Sequence, residues 1–243
     1  MHTRIKSLVS ALLLTASLGT AYAVYAAGNA TEMTGFPKIY QKWFEEAAAE
    51  FDVPVELLQS IAYAETRWRP IVPKGHAKKN GEDFQEADWH EGEMPPAYGI
   101  MGLRNDPHFG YSLNQAAGLI REMPVTLVTD TRSNIRGAAA LLAQYGNRKN
   151  RATPLEQWED AAAKLSGIPE RAIAEMQTYE VFNAIKEGRG NGRYKIKQRE
   201  VDLEKVYGHE KLRTLAASRV LLEYGPNNMR LTAPDADAMS PSR

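Results

Sequence analysis

From Pro37 onward the apolar residues recur at spacings of three and four, and nowhere does the chain carry a sustained alternation of β-branched residues. The first pattern lays an apolar stripe along a helix, whereas a half-buried strand would need the second. A mainly α-helical fold follows. Ile39, Tyr40, Trp43, Phe44, Ala47, Ala48 and Phe51 make one amphipathic face, broken at Asp52-Val53 before Pro54, a residue suited to a helix's first turn. A second helix is predicted from about Pro54 to Thr66, with Leu57, Leu58, Ile61, Ala62 and Ala64 or Glu65 facing inward. An acidic residue on or beside a buried face is costly unless it is useful.

Later helices carry their own start and stop signals. Ser112 to Gln115 has the form of a capping box opening a helix to about Glu122. Asp130 or Thr131 can cap the next, whose Ile135, Gly137, Ala138, Ala139, Leu141, Leu142 and Tyr145 mix large and small residues as a central, closely packed helix requires. Thr153-Pro154-Leu155-Glu156 combines an N-cap Thr, a first-turn Pro and a capping-box Glu, and Gly167 closes that helix. Another spans about Pro169 to Glu187 with Gly188 as its stop, and a last amphipathic helix is expected near Glu200 to Tyr224.

Two stretches lack this period. Arg69 to Ala97 mixes Pro, Gly, Lys, His and acids, as a long loop does, and loops of such length are functional or disordered. Lys186 to Lys197 is rich in Gly and basic residues and reads as a solvated turn, a hinge or a contact for an anionic polymer. The tail 226–243 has little to bury and is expected to be mobile.

At the other end, Arg4 and Lys6 precede the apolar run Leu8 to Leu18, and small residues follow at Ala21-Tyr22-Ala23 and Val24-Tyr25-Ala26. This is the plan of a secretory signal peptide, assigned to residues 1–26. A membrane span needs about 20 apolar residues, and this run is shorter and interrupted. The expected location is therefore a bacterial periplasm or exterior, with no stable membrane insertion after leader cleavage. Thirty Lys and Arg balance thirty Asp and Glu. Without a global basic field, capture of nucleic acid by counterion release is not expected.

The segment Val53 to Pro70, with Glu65 near the end of its helix, resembles the start of the lytic transglycosylase domain of the lysozyme-like superfamily. Three further segments agree in order: Tyr98-Gly99-Ile100-Met101-Gly102-Leu103 is similar to that family's Gly-Leu-Met-Gln turn, Asn134 to Leu142 to its Asn-Ile-x-x-Gly helix, and Trp158 to Gly167 to its Trp-rich helix leading to Ala-Tyr-Asn-x-Gly. The resemblance covers about residues 40–167. It implies a lysozyme-like helical domain over 37–188 with a long loop on the active-site side; the basic Gly-rich loop and the last helix are read as a C-terminal extension over 189–225.

The resemblance also implies a peptidoglycan lytic transglycosylase in which Glu65 is the single catalytic acid. Glu65 would protonate the oxygen between N-acetylmuramic acid and N-acetylglucosamine, then take the proton of the muramic C6 hydroxyl as a 1,6-anhydro ring closes. Hydrolysis usually needs two carboxylates, whereas an intramolecular hydroxyl supplies the nucleophile at high effective molarity. No cofactor is called for. Apolar neighbours such as Tyr63, Trp68, Ile100 and Met101 would keep the acid protonated by desolvation. The plainer reading of Glu65 is a helix-end carboxylate paired with Arg67 or Arg69.

Tyr98, Gly99, Met101, Trp68 and Trp89 are the expected substrate-binding residues, with Gly99 letting backbone approach a sugar or serving as an ordinary turn glycine. Trp89 and Phe109 either stack on sugar rings or pin the loop to the core. Asn134 is read as structural, at a helix start. Thr66 stands where the family has Ser, Gly102 where it has Gln, and Ala163 to Gly167 replaces the segment whose Tyr reaches the catalytic Glu. Those departures leave open another donor such as Tyr98, or a catalytically inactive peptidoglycan-binding or assembly module on the same fold.

His90-Glu91 begins like a zinc-peptidase helix but lacks the second His at the required spacing, and His76, His90 and His108 fall at irregular intervals, so no metal site is expected. Glu82, Asp83, Glu86, Asp88, Glu91 and Glu93 either include a second carboxylate or are solvated loop charges.

Overall fold

The computed structural model describes residues 39–73, 94–190, 195–224 and 229–233. The chain forms two compact units, 1–40 and 41–243. Of the first, residues 39 and 40 are described, in helix α1 (39–51); the rest of the described chain belongs to the second. The expectations for the leader, for residues 74–93 with Trp89, and for 234–243 lie outside the described residues.

The structure is mainly helical. After α1 come α2 (Val55–Thr66), α3 (Ser112–Ile120), α4 (Pro124–Thr129), α5 (Thr131–Gly146), a short 3-10 turn (Leu155–Trp158), α6 (Glu159–Ser166), α7 (Arg171–Glu187), α8 (Leu203–Tyr207) and α9 (His209–Leu215). A hairpin of β1 (Leu221–Tyr224) and β2 (Met229–Thr232) ends the described chain. Among the described residues no helix is long and apolar enough to cross a membrane.

α5 is central: α3, α4 and α6 pack on it, while α7 packs on α2 and α6. Its Ile135, Ala138, Ala139, Leu141 and Leu142 are buried. At Gly137 an added Cβ would lie 2.7 Å from the Leu127 side chain and 3.1 Å from Ala116 Cβ. That small residue is what lets three helices converge. Asp130 caps α5 as predicted, its Oδ1 accepting from Ser133 N–H at 2.7 Å.

Two other start signals are used differently. Ser112 opens α3, yet its hydroxyl accepts from Arg104 N–H at 2.8 Å and makes no cap. Gln115 accepts from Tyr145 Oη–H at 2.8 Å instead of closing the box. Likewise Thr153 Oγ1 accepts from Asn150 N–H at 3.0 Å, and Glu156 accepts from Asp202 N–H at 2.9 Å. In each pair the first residue is spent on a loop just before the helix and the second on a long-range tie.

The expected helix 200–224 is corrected. Gly208, at φ +77° and ψ 159°, separates α8 from α9, and the chain then turns into β1. β2 pairs antiparallel with β1, Leu221 opposite Thr232 and Leu222 opposite Leu231, within the stretch read from sequence as a mobile tail. Val201, Leu203, Tyr207 and Leu215 are buried.

Candidate functional site around Glu65

α2 ends in two consecutive left-handed residues, Arg67 (φ +54°) and Trp68 (φ +58°). Bulky residues enter that region only when neighbours compensate. Here Arg67 N–H donates to Tyr63 O at 2.9 Å and Trp68 N–H to Ala62 O at 3.3 Å, and the Trp68 indole Nε1–H donates to Gln59 O at 2.9 Å. Trp68 is 5% exposed. The reversal leaves Glu65 at the C-terminal end of α2.

A turn from Tyr98 to Leu103 lies beside it. Tyr98 and Leu103 exchange backbone hydrogen bonds of 2.9 and 3.0 Å, and Ile71 and Gly99 exchange two more, of 3.2 and 2.7 Å. Asn134, fully buried at the start of α5, holds the turn from within. Its Oδ1 accepts from Met101 N–H at 2.9 Å, while its Nδ2 donates to Tyr98 O at 3.2 Å and Leu127 O at 3.0 Å. Gly99 has φ +69°, and a Cβ there would sit 2.1 Å from Asn134 Nδ2. Asn134 is thus structural, as read from sequence, and Gly99 is required by the approach of an asparagine rather than of a sugar.

Thr66 joins helix to turn, its hydroxyl lying 2.7 Å from Ile100 O and 3.0 Å from Ala62 O. A serine hydroxyl could make the same link, so this departure from the family pattern keeps the function of the group. Gly102 has a steric cause. At φ +64° an added Cβ would come within 2.9 Å of both Glu65 Cβ and Oε2, so a Gln at this position would collide with the acid.

The Glu65 side chain is 7% exposed. Gln177 Nε2, from α7, donates to its Oε1 at 2.7 Å, and Arg104 Nη2 stands 3.6 Å from its Oε2. Burial pushes the carboxyl up from its ordinary 4.5 to about 7, opposed by the Arg104 charge and the Gln177 hydrogen bond and aided by the negative charge of Glu180. Glu180 is itself ion-paired with Arg67 at 2.7 Å. Arg67 therefore pairs with Glu180 and not with Glu65, against the plainer reading of the sequence. Arg104 is anchored by Nη1 on Pro95 O at 3.2 Å, and its guanidinium lies 4.7 Å from the Phe109 ring centroid.

Of the expected substrate-binding residues, Tyr98 (1% exposed), Met101 (2%) and Trp68 are enclosed. Their side chains shape the wall behind Glu65 and offer no open face for a sugar to stack on. Phe109 packs on Arg104 and His108, the rings meeting edge-on at 4.6 Å. Arg67 and Arg189, both well exposed, are set against the Tyr63 ring at 4.5 and 5.7 Å. Gln177 and Arg104 escaped the sequence reading. Arg104 follows the recognised turn by one residue, a spacing that carried the signal, whereas Gln177 is 112 residues from Glu65.

Two clefts lie away from this site. One of about 420 Å³ is lined by Trp43, Glu50, Glu122 and Arg136, and one of about 650 Å³ by Lys186 and residues 198–202. In the first, Arg136 binds Glu50 at 2.6 Å and Glu122 at 3.2 Å. The Glu50 carboxyl of the first is held below its ordinary value by the Arg136 hydrogen bond, whereas burial raises that of Glu65. Among the described residues no group of three or more His, Asp or Glu is arranged to hold a metal ion.

Compared with known proteins, the chain matches no family model, no curated protein and no solved structure.

Proposed function

We propose that the protein is an exported lytic transglycosylase with a lysozyme-like domain, cleaving peptidoglycan glycan strands through Glu65 alone. The observation that carries this reading is a nearly buried carboxyl, held at a helix end against a rigid turn, whose pKa of about 7 leaves acid and base forms similarly populated near neutral pH. One group can then give a proton and take one back. In the first step Glu65 donates to the glycosidic oxygen as the bond from the muramic C1 breaks. In the second the C6 hydroxyl attacks C1, and its proton passes to the Glu65 carboxylate as the C1–O6 bond closes the anhydro ring.

Three features support the assignment. Thr66 keeps the hydroxyl link to the turn, Asn134 fixes the turn at two points and ties it to Leu127 of α4, and Arg104 offers the carboxylate a counter-charge at 3.6 Å once its proton has left. Glu180, the acid that acts on Glu65 electrostatically, is occupied by Arg67. A two-carboxylate hydrolase would need a free second acid.

A second reading, a binding or assembly module without catalysis, is favoured by the 7% exposure of Glu65 and by the Gln177 and Arg104 groups already in place around it. Incubating mature protein and Glu65→Gln with peptidoglycan sacculi separates the two. Anhydro-muropeptides detected by mass spectrometry from wild type only support the transglycosylase. Reducing-end products replace it with a hydrolase, and retention of both proteins on sacculi with no soluble product replaces it with the binding module.

A further inference from the structure

We propose that Gln177 is a positioning residue that holds the Glu65 carboxyl in one orientation through both of its protonation states, its amide donating to the carboxylate and accepting from the carboxylic acid. The proposal rests on Glu65 being the acid and base of the reaction. Gln177 is the one side chain among the described residues that is hydrogen-bonded to the Glu65 carboxyl. Arg104, at 3.6 Å, interacts by charge and directs its Nη1 to Pro95 O.

The chemistry of the amide is the reason for this assignment. Arg and Lys only donate, and an ionised Asp or Glu only accepts. A primary amide carries a donor and an acceptor of nearly the same shape, and a half-turn about its last bond exchanges them without moving the heavy-atom frame. When Glu65 is ionised the NH2 group donates to Oε1 at the observed 2.7 Å. When Glu65 carries the proton on Oε1, the amide oxygen accepts it. When the proton is on Oε2, the NH2 contact persists and Oε2–H is the group presented for transfer.

The frame behind Gln177 is stiff. The next residue, Thr178, is fully buried; its hydroxyl donates to Glu159 Oε1 at 2.9 Å and accepts from Tyr207 Oη–H at 3.0 Å. Ser60 Oγ–H, earlier on the helix that carries Glu65, donates to Val181 O, one turn beyond Gln177. The Ser60 bond ties α2 directly to α7, and the Thr178 bonds hold α7 in turn on α6 and α8. Among the described residues, Arg104 just after the turn, with Gln177 and Glu180 from α7, are the polar and charged groups that act on Glu65.

The test is a titration of the Glu65 carboxyl by carbon NMR, run on wild type, Gln177→Met and Gln177→Glu, alongside kcat and KM on sacculi across pH. Gln177→Met keeps the length of the side chain and removes the amide. Its Glu65 midpoint should rise by about one unit, a tenfold change in the ionisation constant, and kcat should fall about 10- to 100-fold with KM within about twofold, the size of a hydrogen bond to a charged group. In Gln177→Glu the two carboxyls should share a proton and titrate in two separated steps. A Glu65 midpoint that is unmoved in Gln177→Met, with the melting temperature of wild type, overturns the proposal. Because the titration needs no glycan, a wild type that yields no product overturns the assigned reaction separately, while the midpoint still decides the role of Gln177.

Discussion

The Arg104 guanidinium stands 3.6 Å from the Glu65 carboxyl without hydrogen-bonding to it, so the two groups interact by charge through an interior that water barely reaches. Burial raises the Glu65 pKa and Arg104 restrains that rise. Arg104→Gln removes the restraint. The Glu65 midpoint should move upward from about 7 by about one unit or more, carrying the alkaline limb of the pH–rate profile with it. Carbon NMR of the Glu65 carboxyl and kcat/KM across pH 5 to 9, with about those bounds, check the shift together.

The same burial makes a stability prediction. The folded protein holds the Glu65 proton more tightly than the unfolded chain, since the folded value is about 7 and the ordinary value 4.5. Stability therefore falls as pH rises through that window and levels off above it. Glu65→Gln, neutral at every pH, should be more stable than wild type above the folded midpoint by about 3 kcal/mol, the gap closing below pH ~4. Urea unfolding of both proteins at the two ends of the window measures it.

Gly102→Ala tests the steric reading of the turn. A Cβ placed 2.9 Å from Glu65 Cβ and Oε2, at a φ of +64°, must displace either the acid or the turn. Activity should fall more than 10-fold, while global stability drops by about 1–3 kcal/mol. Gly99→Ala should be the more destabilising of the two, because its Cβ would meet the Asn134 amide, which is held by three hydrogen bonds and cannot yield. Thermal melts rank the pair.

The helical class and much of the core were legible because apolar spacing along one helix is a local property; Leu57, Leu58 and Ile61 are buried as the period requires. Glu65 was legible as an acid beside an apolar stripe. Asn134 was legible as structural from its place at a helix start, but not as the residue that holds the Tyr98–Leu103 turn. What sequence could not show were choices among competing partners. Ser112 caps nothing because Arg104 N–H claims its hydroxyl, Gln115 turns instead to Tyr145, 30 residues away, and the expected helix 200–224 is broken at Gly208 and gives way to a hairpin paired with residues 229–232. Trp68 and Met101 looked like binding residues because aromatic and apolar side chains near a candidate acid suit either sugar stacking or packing. After the left-handed pair Arg67-Trp68 the indole is turned inward, which favours packing for Trp68.

Trp68→Phe isolates the indole's structural part. The substitution removes the 2.9 Å bond to Gln59 O and leaves a buried carbonyl short of a donor. Stability should fall by about 1–3 kcal/mol, with affinity for sacculi unchanged in a pull-down below the new melting temperature. A matching loss of affinity at preserved stability would return Trp68 to the sugar-binding surface.

The C-terminal segment should act on the site through α7. Tyr207 Oη–H reaches Thr178, which in turn donates to Glu159, and Lys211 pairs with Glu175 at 2.7 Å. Tyr207→Phe removes one buried hydrogen bond, about 1 kcal/mol, and Thr178→Val removes two, so about 2 kcal/mol. Since the Tyr207 bond is common to both variants, the double variant should cost about 1 kcal/mol less than the sum, a coupling measurable by a double-mutant cycle in urea. Thr178 is adjacent to Gln177 on the helix. Loosening it should lower kcat on sacculi in Thr178→Val more than in Tyr207→Phe, whereas an extension that merely covers apolar surface would give equal activities at equal fractions folded.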